Sequence, residues 1–239
     1  MIQRFNNRAE DALRPVKITP HFIASPEGAV LIECGKTRVL CCATVEKSLP
    51  PWLVAQNKHH GWITAEYAML PRATLKRTRR AANGRSQEIQ RLIGRSLRAA
   101  FDLNKMQGFQ ILLDCDVLEA DGGTRCASIC GAFVAAQIAI AKLIKTGEIA
   151  ENPTRGLLSA VSVGIVKNTP LLDLDYTEDA ACDTDMNVVM LNNKIVEIQG
   201  TAEGAPFSHE ELNTLLLLAE KGNAELQKML FSTVNAEKI

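Results

Sequence analysis

Alternating apolar and polar positions predict most of the strands in this chain. Apolar residues occupy every second position from 109 to 117, as expected for a strand with one buried face. Two further runs, 30–33 and 37–45, are separated by a Gly-Lys turn and predict a hairpin. Additional strands are predicted at residues 62–67, 158–166, 171–175, 187–191 and 195–200.

Apolar residues at helical spacing predict the helices. Residues 89–101 carry one apolar stripe, whereas residues 125–145 are apolar nearly all round, which is typical of a helix buried in a core. A capping box at residues 208–211 starts a third helix. We expect Gly222 to interrupt that helix before a second helical piece ends near residue 232.

The remaining segments predict loops: an irregular arm over residues 1–13, a loop over 46–60, a basic loop over 72–84 and a sharp turn over 120–125. The order of hairpin, helix, strand, helix, strands and helix fits neither strict βαβ alternation nor an all-β protein. It favours an α+β fold, a mixed α/β sandwich. No repeat or linker divides the chain, so we expect a single domain over residues 1–239.

Composition excludes several classes of protein. Of the 239 residues, 46% are hydrophobic and 23% are charged, which excludes a disordered or fibrous chain. The longest apolar runs have about five residues, far fewer than the roughly 20 of a membrane span, and no secretory signal is recognisable. Seven irregularly spaced cysteines without a C-x-x-C pair favour buried thiols in a reducing cytoplasm over a zinc or redox site at Cys126 and Cys130.

Charge is segregated along the chain although its net value is zero, with 27 basic and 27 acidic residues. Residues 72–98 hold nine basic residues and only Glu88 as an acid, whereas residues 173–185 hold six acids and no base. The basic segment would attract a polyanion such as RNA, or it is a solvated run of charge. The candidates in its loop are Arg72, Lys76, Arg77, Arg79 and Arg80.

The turn and the acids suggest two binding sites, one for an anion such as phosphate and one for a divalent cation. Gly123, Thr124 and Arg125 stand where a strand turns into a helix, so free N–H groups and a guanidinium would meet an anion there. Arg85 is a candidate second guanidinium. The acids of residues 173–185 repel one another unless a cation such as Mg²⁺, Mn²⁺ or Ca²⁺ lies among them. The alternatives are a plain tight turn, a surface arginine and an exposed acidic loop.

Together these groups resemble the parts needed for phosphoryl transfer. There is no G-x-x-x-x-G-K-[ST] loop, which excludes a P-loop NTPase. The four histidines are scattered, which argues against a histidine-based hydrolase.

Several long strings resemble the ribonuclease PH family, over a stretch from about residue 14 to about residue 218. They are GWITAEY at 61–67, MLPR at 69–72, GR at 84–85, EIQRLI at 88–93, LDCDVL at 113–118, ADGGTR at 120–125, DTDMNVVM at 183–190 and EIQGTAEG at 197–204. The resemblance implies a fold like that of ribosomal protein S5 domain 2. It also implies a phosphate-dependent 3′→5′ exoribonuclease that trims the 3′ ends of tRNA precursors and other RNAs and releases nucleoside diphosphates.

The resemblance also implies roles for particular residues and for partners. It implies inorganic phosphate as co-substrate, Mg²⁺ or Mn²⁺ as cofactor, a cytoplasmic homohexamer built as a trimer of dimers, and no membrane. The implied phosphate site is Arg85, Gly123, Thr124 and Arg125, the catalytic and metal-binding acids are Asp179 and Asp185, and the RNA-guiding arginines are Arg72, Arg77 and Arg80.

One departure from the family pattern is clear. Only three residues stand between Arg80 and Gly84, where the family has a longer segment, so RNA contacts at this loop are expected to differ. Two other functions compete with the phosphorolytic enzyme: a non-catalytic subunit of a ring assembly, and a nuclease or phosphatase in which water attacks.

Overall fold

The computed structural model describes Arg4 and the residue ranges 7–80 and 84–236. Within these ranges the chain forms, in order, β1 (Val16–Pro20), β2 (Gly28–Cys34), β3 (Thr37–Glu46), α1 (Pro51–Ala55), β4 (Trp62–Met69), α2 (Gly84–Ala100), β5 (Gln110–Glu119), α3 (Thr124–Lys145), β6 (Leu158–Val166), β7 (Thr169–Leu172), α4 (Tyr176–Asp179), β8 (Thr184–Leu191), β9 (Lys194–Ala202) and α5 (His209–Ala236). A 3₁₀ turn at Leu103–Met106 precedes β5.

The strands form two sheets. The first has the order β1-β2-β3-β5-β4, in which only β4 and β5 run parallel, and the second has the order β7-β6-β8-β9, with all pairs antiparallel. The predicted hairpin is β2 with β3, and Cys34 pairs with Thr37 beside its turn. The expected mixed fold of strands and helices is confirmed.

Helix α3 lies between the two sheets, since it packs against β2 and β3 of the first and against β6 of the second. Helix α2 packs on β4 and on α3, and α5 packs on β6, β7 and β8. This central position explains why α3 is apolar on every side. It is long and apolar enough to cross a membrane by composition, but 83% of its most apolar window is buried inside the protein, as in a core helix.

The prediction that Gly222 interrupts the C-terminal helix is wrong, because α5 is continuous from His209 to Ala236. A Cβ atom at Gly222 would lie 2.6 Å from Leu172 Cδ1 and 3.3 Å from Val161 Cγ1. The glycine therefore lets α5 approach the second sheet closely.

Two local predictions also fail. The strand expected over residues 171–175 ends at Leu172, because Asp173 adopts a left-handed φ of 56°. Asp173 and Asp175 therefore do not share one strand face, and Asp175 caps α4 instead. The loop predicted over residues 46–60 contains α1, which begins with a proline at a position where helices tolerate it. Strand β1 was not predicted, since it is short and carries no clear alternation.

The cysteines match the expectation of buried free thiols. All seven are free, and five of them are buried. Burial raises the pKa of Cys130 to about 12, so this thiol stays protonated at neutral pH. Within the described ranges no group of three or more His, Cys, Asp or Glu residues is arranged to hold a metal ion.

Candidate active site at the start of helix α3

A cleft of about 510 Å³ opens at the N-terminus of α3. It is lined by six of the nine predicted site residues, namely Arg85, Gly123, Thr124, Arg125, Asp179 and Asp185. These residues come from α2, the turn before α3, the first turn of α3, α4 and β8. A larger cavity of about 630 Å³ lies along the C-terminal half of α3, but it contains none of the predicted residues. The smaller cleft is therefore the candidate active site, because the predicted residues line it.

The turn before α3 depends on two consecutive glycines. Gly122 has a φ of 76° and Gly123 a φ of 66°, a left-handed conformation that costs other residues about 1–2 kcal/mol each. Gly123 is the N-cap of α3, and Thr124 is the first residue of the helix. The first N–H groups of a helix have no partner inside it and stand at the positive end of its dipole. This turn is therefore suited to bind an anion.

A neighbouring tyrosine orients the buried hydroxyl of Thr124. Tyr67 Oη donates a hydrogen bond to Thr124 Oγ1 at 3.0 Å. Burial raises the pKa of Tyr67, so the phenol keeps the proton that it donates. Because the Thr124 oxygen accepts this bond, its own proton remains available to a ligand in the cleft.

Arg125 is held in place by Glu88. Arg125 Nη2 lies 3.1 Å from Glu88 Oε2, while Glu88 Oε1 accepts from Gln199 Nε2 at 2.8 Å. Partial burial acts to raise the pKa of Glu88, but the hydrogen bonds from Gln199 and Arg125 lower it overall. Within the described ranges, Arg125 Nε is buried without a hydrogen-bond partner. It is therefore a donor that an anion in the cleft would satisfy.

The two predicted catalytic acids lie together and are half-buried. Burial raises the pKa of Asp179 against the opposing charges of Arg85 and Arg125. Burial, and then the charge of Asp179, raise the pKa of Asp185. A cation near the two carboxylates would therefore stabilise their charged forms, and the guanidiniums of Arg85 and Arg125 are close enough to act on both.

The acidic segment does not act as one cluster. Asp173 pairs with Arg14, with Asp173 Oδ1 2.7 Å from Arg14 Nη2. Glu178 pairs with Arg4, with Glu178 Oε1 2.6 Å from Arg4 Nε. Asp183 is exposed. Of the six acids, only Asp179 and Asp185 line the cleft.

The three predicted RNA-guiding arginines do not line the cleft. Arg72, Arg77 and Arg80 are exposed on the irregular segment that follows β4. Other residues of that segment form one wall of the cleft, and they are Thr74, Leu75, Lys76 and Thr78. The shortened stretch at residues 81–83 lies outside the described residues.

Three further cleft residues escaped the sequence analysis: Ser162, Tyr176 and Asn187. Asn187 stands two positions after Asp185 in β8, so the twofold period of a strand could have indicated that both face the cleft. Tyr176 begins α4 and is largely exposed, at 56%. No sequence signal points to Ser162, which lies on β6.

Comparison with known proteins places these features in a family. A model of the 3′ exoribonuclease family, domain 1, matches residues 12–141, and a model of domain 2 of the same family matches residues 156–222. A ribonuclease PH from Neisseria meningitidis serogroup C (strain FAM18) is 58% identical over 226 residues, which cover 92% of this chain and 93% of that protein. A ribonuclease PH from Neisseria gonorrhoeae (strain NCCP11945) matches with the same identity and coverage.

Solved structures share the fold. The Archaeoglobus fulgidus exosome with RNA bound to the active site superposes with a TM-score of 0.82 at 24% identity, covering 95% of this chain and 92% of that one. An archaeal exosome core gives a TM-score of 0.74 at 22% identity, with coverage of 95% and 90%.

Proposed function

Because the chain belongs to the 3′ exoribonuclease family and matches ribonuclease PH proteins over most of their length, we propose that it is a phosphate-dependent 3′→5′ exoribonuclease. It removes nucleotides from the 3′ ends of tRNA precursors and other RNAs and releases nucleoside 5′-diphosphates. One observation carries the proposal: a glycine turn with two arginines and a pair of carboxylates line the same cleft.

The first half of the site binds the attacking phosphate. Orthophosphate is already an anion, so the enzyme does not need a strong base to activate it. The difficulty is to bring it to an anionic phosphodiester, and Arg85 and Arg125 reduce that repulsion. The N–H of Gly123 and the hydroxyl of Thr124 orient the phosphate. Arg125 Nε, which is buried without a partner in the described part of the chain, gains one when phosphate binds.

The second half of the site serves the scissile phosphodiester. The residues present suit Mg²⁺ or Mn²⁺, since these ions commonly bind through one or two carboxylates together with substrate phosphates, and Asp179 and Asp185 supply those carboxylates. When bound there, a divalent cation would neutralise charge on the phosphodiester. Asp179 and Asp185 are both half-buried, so their charges are only weakly screened by water.

The reaction is a balanced exchange of bonds. An oxygen of the inorganic phosphate forms a bond to the phosphorus of the terminal nucleotide, and the bond from that phosphorus to the 3′ oxygen of the preceding nucleotide breaks. The leaving oxygen needs a proton or a cation beside it, and we assign Asp185, which lines the cleft, either to donate that proton or to hold that cation. One phosphodiester is replaced by one diphosphate, so the reaction is expected to be reversible.

We further propose a cytoplasmic homohexamer. Seven free cysteines fit a reducing compartment, and the likeness to subunits of exosomes fits a ring assembly. The exposed arginines Arg72, Arg77 and Arg80 would then contact RNA outside the cleft through its phosphates.

The test is to incubate the protein and Mg²⁺ with an RNA that carries extra 3′ nucleotides, with and without phosphate, and to identify the released nucleotides. Diphosphates that form only with phosphate support the proposal. Monophosphates that form without phosphate would instead show attack by water, and no release in either case would show a non-catalytic subunit.

A pair of arginine variants localises the activity. Arg125→Ala should abolish phosphorolysis while RNA binding is largely kept, because the lost group contacts the phosphate. Arg95→Ala is the matched control, since Arg95 is an exposed arginine whose Nη2 pairs with Glu197 Oε1 at 2.6 Å and does not line the cleft. Near-normal release of diphosphates by Arg125→Ala would refute the phosphate site.

A further inference from the structure

The glycine turn is held from behind by two side chains that do not line the cleft, Arg14 and Thr37. The guanidinium of Arg14 donates hydrogen bonds to the carbonyl oxygen of Asp121 and, at 3.5 Å, to that of Gly122. Thr37 Oγ1 donates to the carbonyl oxygen of Gly122 at 2.7 Å and accepts from the N–H of Asp121 at 2.9 Å. Two distant parts of the chain thus bind the same two residues of the turn, and both bind the carbonyl oxygen of Gly122.

Arg14 is itself fixed by a buried carboxylate. Arg14 Nε and its backbone N–H donate to Asp173 Oδ2 at 3.0 and 2.7 Å, and Arg14 Nη2 donates to Asp173 Oδ1 at 2.7 Å. Both residues are buried. Burial acts to lower the pKa of Arg14, but the Asp173 carboxylate raises it overall. The guanidinium is therefore charged and held in one orientation by a bidentate pair.

The planarity of the peptide group links these contacts to the cleft. In a trans peptide the C=O and the N–H of the same plane point in opposite directions. The carbonyl of Gly122 points to Thr37 and Arg14, so the N–H of Gly123 in the same plane points away from them. Gly123 lines the cleft. Hydrogen bonds on the Gly122 oxygen therefore set the direction of an N–H group at the phosphate site.

Arg14 also approaches the turn closely. A Cβ atom at Gly123 would lie 2.9 Å from Arg14 Nη2, so the guanidinium packs directly against this glycine. Thr37 is fully buried, at 0% exposure, and its hydroxyl cannot exchange these partners for water. Both supports are thus rigid.

We propose that Arg14 and Thr37 are positioning residues for the phosphate, which act by orienting the peptide groups of Asp121 and Gly122. The proposal rests on the proposed function of the cleft. The expected effect is selective, because the supported peptides belong to the phosphate half of the site and not to the surface that binds RNA.

The decisive variant is Thr37→Val, which keeps the shape of the side chain and removes its hydroxyl. Steady-state phosphorolysis is measured with phosphate varied at saturating RNA and with RNA varied at saturating phosphate. We expect the KM for phosphate to rise about tenfold, the KM for RNA to stay within twofold, and Thr37→Ser to restore the wild-type value. Arg14→Lys retains the charge but loses the planar guanidinium that donates two hydrogen bonds at once, so it should also raise the KM for phosphate.

A matched control separates positioning from general stability. Arg8 belongs to the same group of ion pairs, since Arg8 Nη1 lies 3.6 Å from Asp173 Oδ2 and Arg8 Nη2 lies 3.1 Å from Glu178 Oε2. In the described structure the side-chain hydrogen bonds of Arg8 go to Ala12, Leu172, Asp173 and Glu178, and none goes to the glycine turn. Arg8→Gln should lower the unfolding temperature without changing the KM for phosphate.

The outcomes distinguish this inference from the proposed function. If the wild-type protein performs phosphorolysis but Thr37→Val has an unchanged KM for phosphate, or if Arg8→Gln raises that KM as much, the positioning role is refuted and the function stands. If the wild-type protein does not use phosphate and titration calorimetry shows no phosphate binding, both fall. Calorimetric phosphate binding that weakens in Thr37→Val but not in Arg8→Gln supports the positioning role directly.

Discussion

Replacing Gly122 by alanine should separate the two halves of the cleft. A Cβ atom at this position would lie 2.4 Å from the carbonyl oxygen of Leu174 and 2.7 Å from the carbonyl carbon of Asp175. These are backbone atoms, so no side chain can rotate away to relieve the overlap. The chain beyond Asp175 forms α4 and ends it at Asp179. A shift at Gly122 therefore moves the glycine turn relative to the carboxylate of Asp179 on the opposite side of the cleft.

The size of the effect follows from the distances. Ordinary contact begins at 3.4 Å, so the turn and the 174–175 backbone must move apart by about 1 Å. A displacement of this size can lower the rate of an enzyme about a hundredfold. The left-handed backbone adds about 1–2 kcal/mol of destabilisation, and the overlap adds about 1–3 kcal/mol. A protein of ordinary stability, about 5–15 kcal/mol, stays largely folded under that cost.

The assay measures kcat/KM for phosphorolysis and the thermal unfolding midpoint, with Gly147→Ala as the control. Gly147 also has a left-handed φ, 72°, but a Cβ atom there would meet nothing within 4 Å. The control should lose about 2–8 °C in unfolding temperature and no activity. If Gly122→Ala keeps activity within threefold of wild type, or if Gly147→Ala loses as much activity, the close packing of the two turns is not what aligns the site.

Three other outcomes are expected. Gly222→Ala should lower the unfolding temperature, because overlap with Leu172 costs more than the roughly 1 kcal/mol that alanine gains in a helix; a higher midpoint would contradict this packing. Asp185→Asn should lose most of the activity yet be more stable than wild type at pH 7 without divalent ions. The raised pKa of Asp185 means that the folded state binds more protons than the unfolded state, so wild-type stability falls as pH rises through that pKa, and equal stability in urea would be evidence against it. Arg95→Ala should change stability by less than about 1 kcal/mol, since its ion pair with Glu197 is exposed, and a larger loss in chemical denaturation would be inconsistent with that.

Much of the fold was predictable because regular elements carry a period. The alternation over 109–117 predicted β5 and the all-round apolar run predicted α3. The prediction at Gly222 was wrong because a glycine in a helical pattern marks either the end of the helix or a point where another segment packs closely against it. Only the packing partner, here Leu172, distinguishes the two cases. The strand prediction at Asp173 was wrong because this residue has a left-handed φ and its carboxylate pairs with the distant Arg14, and the apolar pattern along the chain indicates neither.

The cleft was predictable in part because its residues lie in distinctive strings. The hydrogen bonds from Arg14 and Thr37 to the glycine turn were not predictable. These residues are separated from the turn by about a hundred residues, and a pattern along the chain does not show which distant group a side chain contacts. For the same reason, the sequence could not indicate that the acids divide, with Asp173 and Glu178 facing arginines and only Asp179 and Asp185 facing the cleft.

The position of α3 has a consequence for how the protein loses activity on heating. The helix begins at the glycine turn and continues between the two sheets, so the first turn of the helix should not open unless the centre of the molecule opens with it. Amide protons such as those of Ser128 and Ile129 should exchange with deuterated water only through global unfolding. Thermal inactivation and cooperative melting should then coincide, without an intermediate that is folded but inactive.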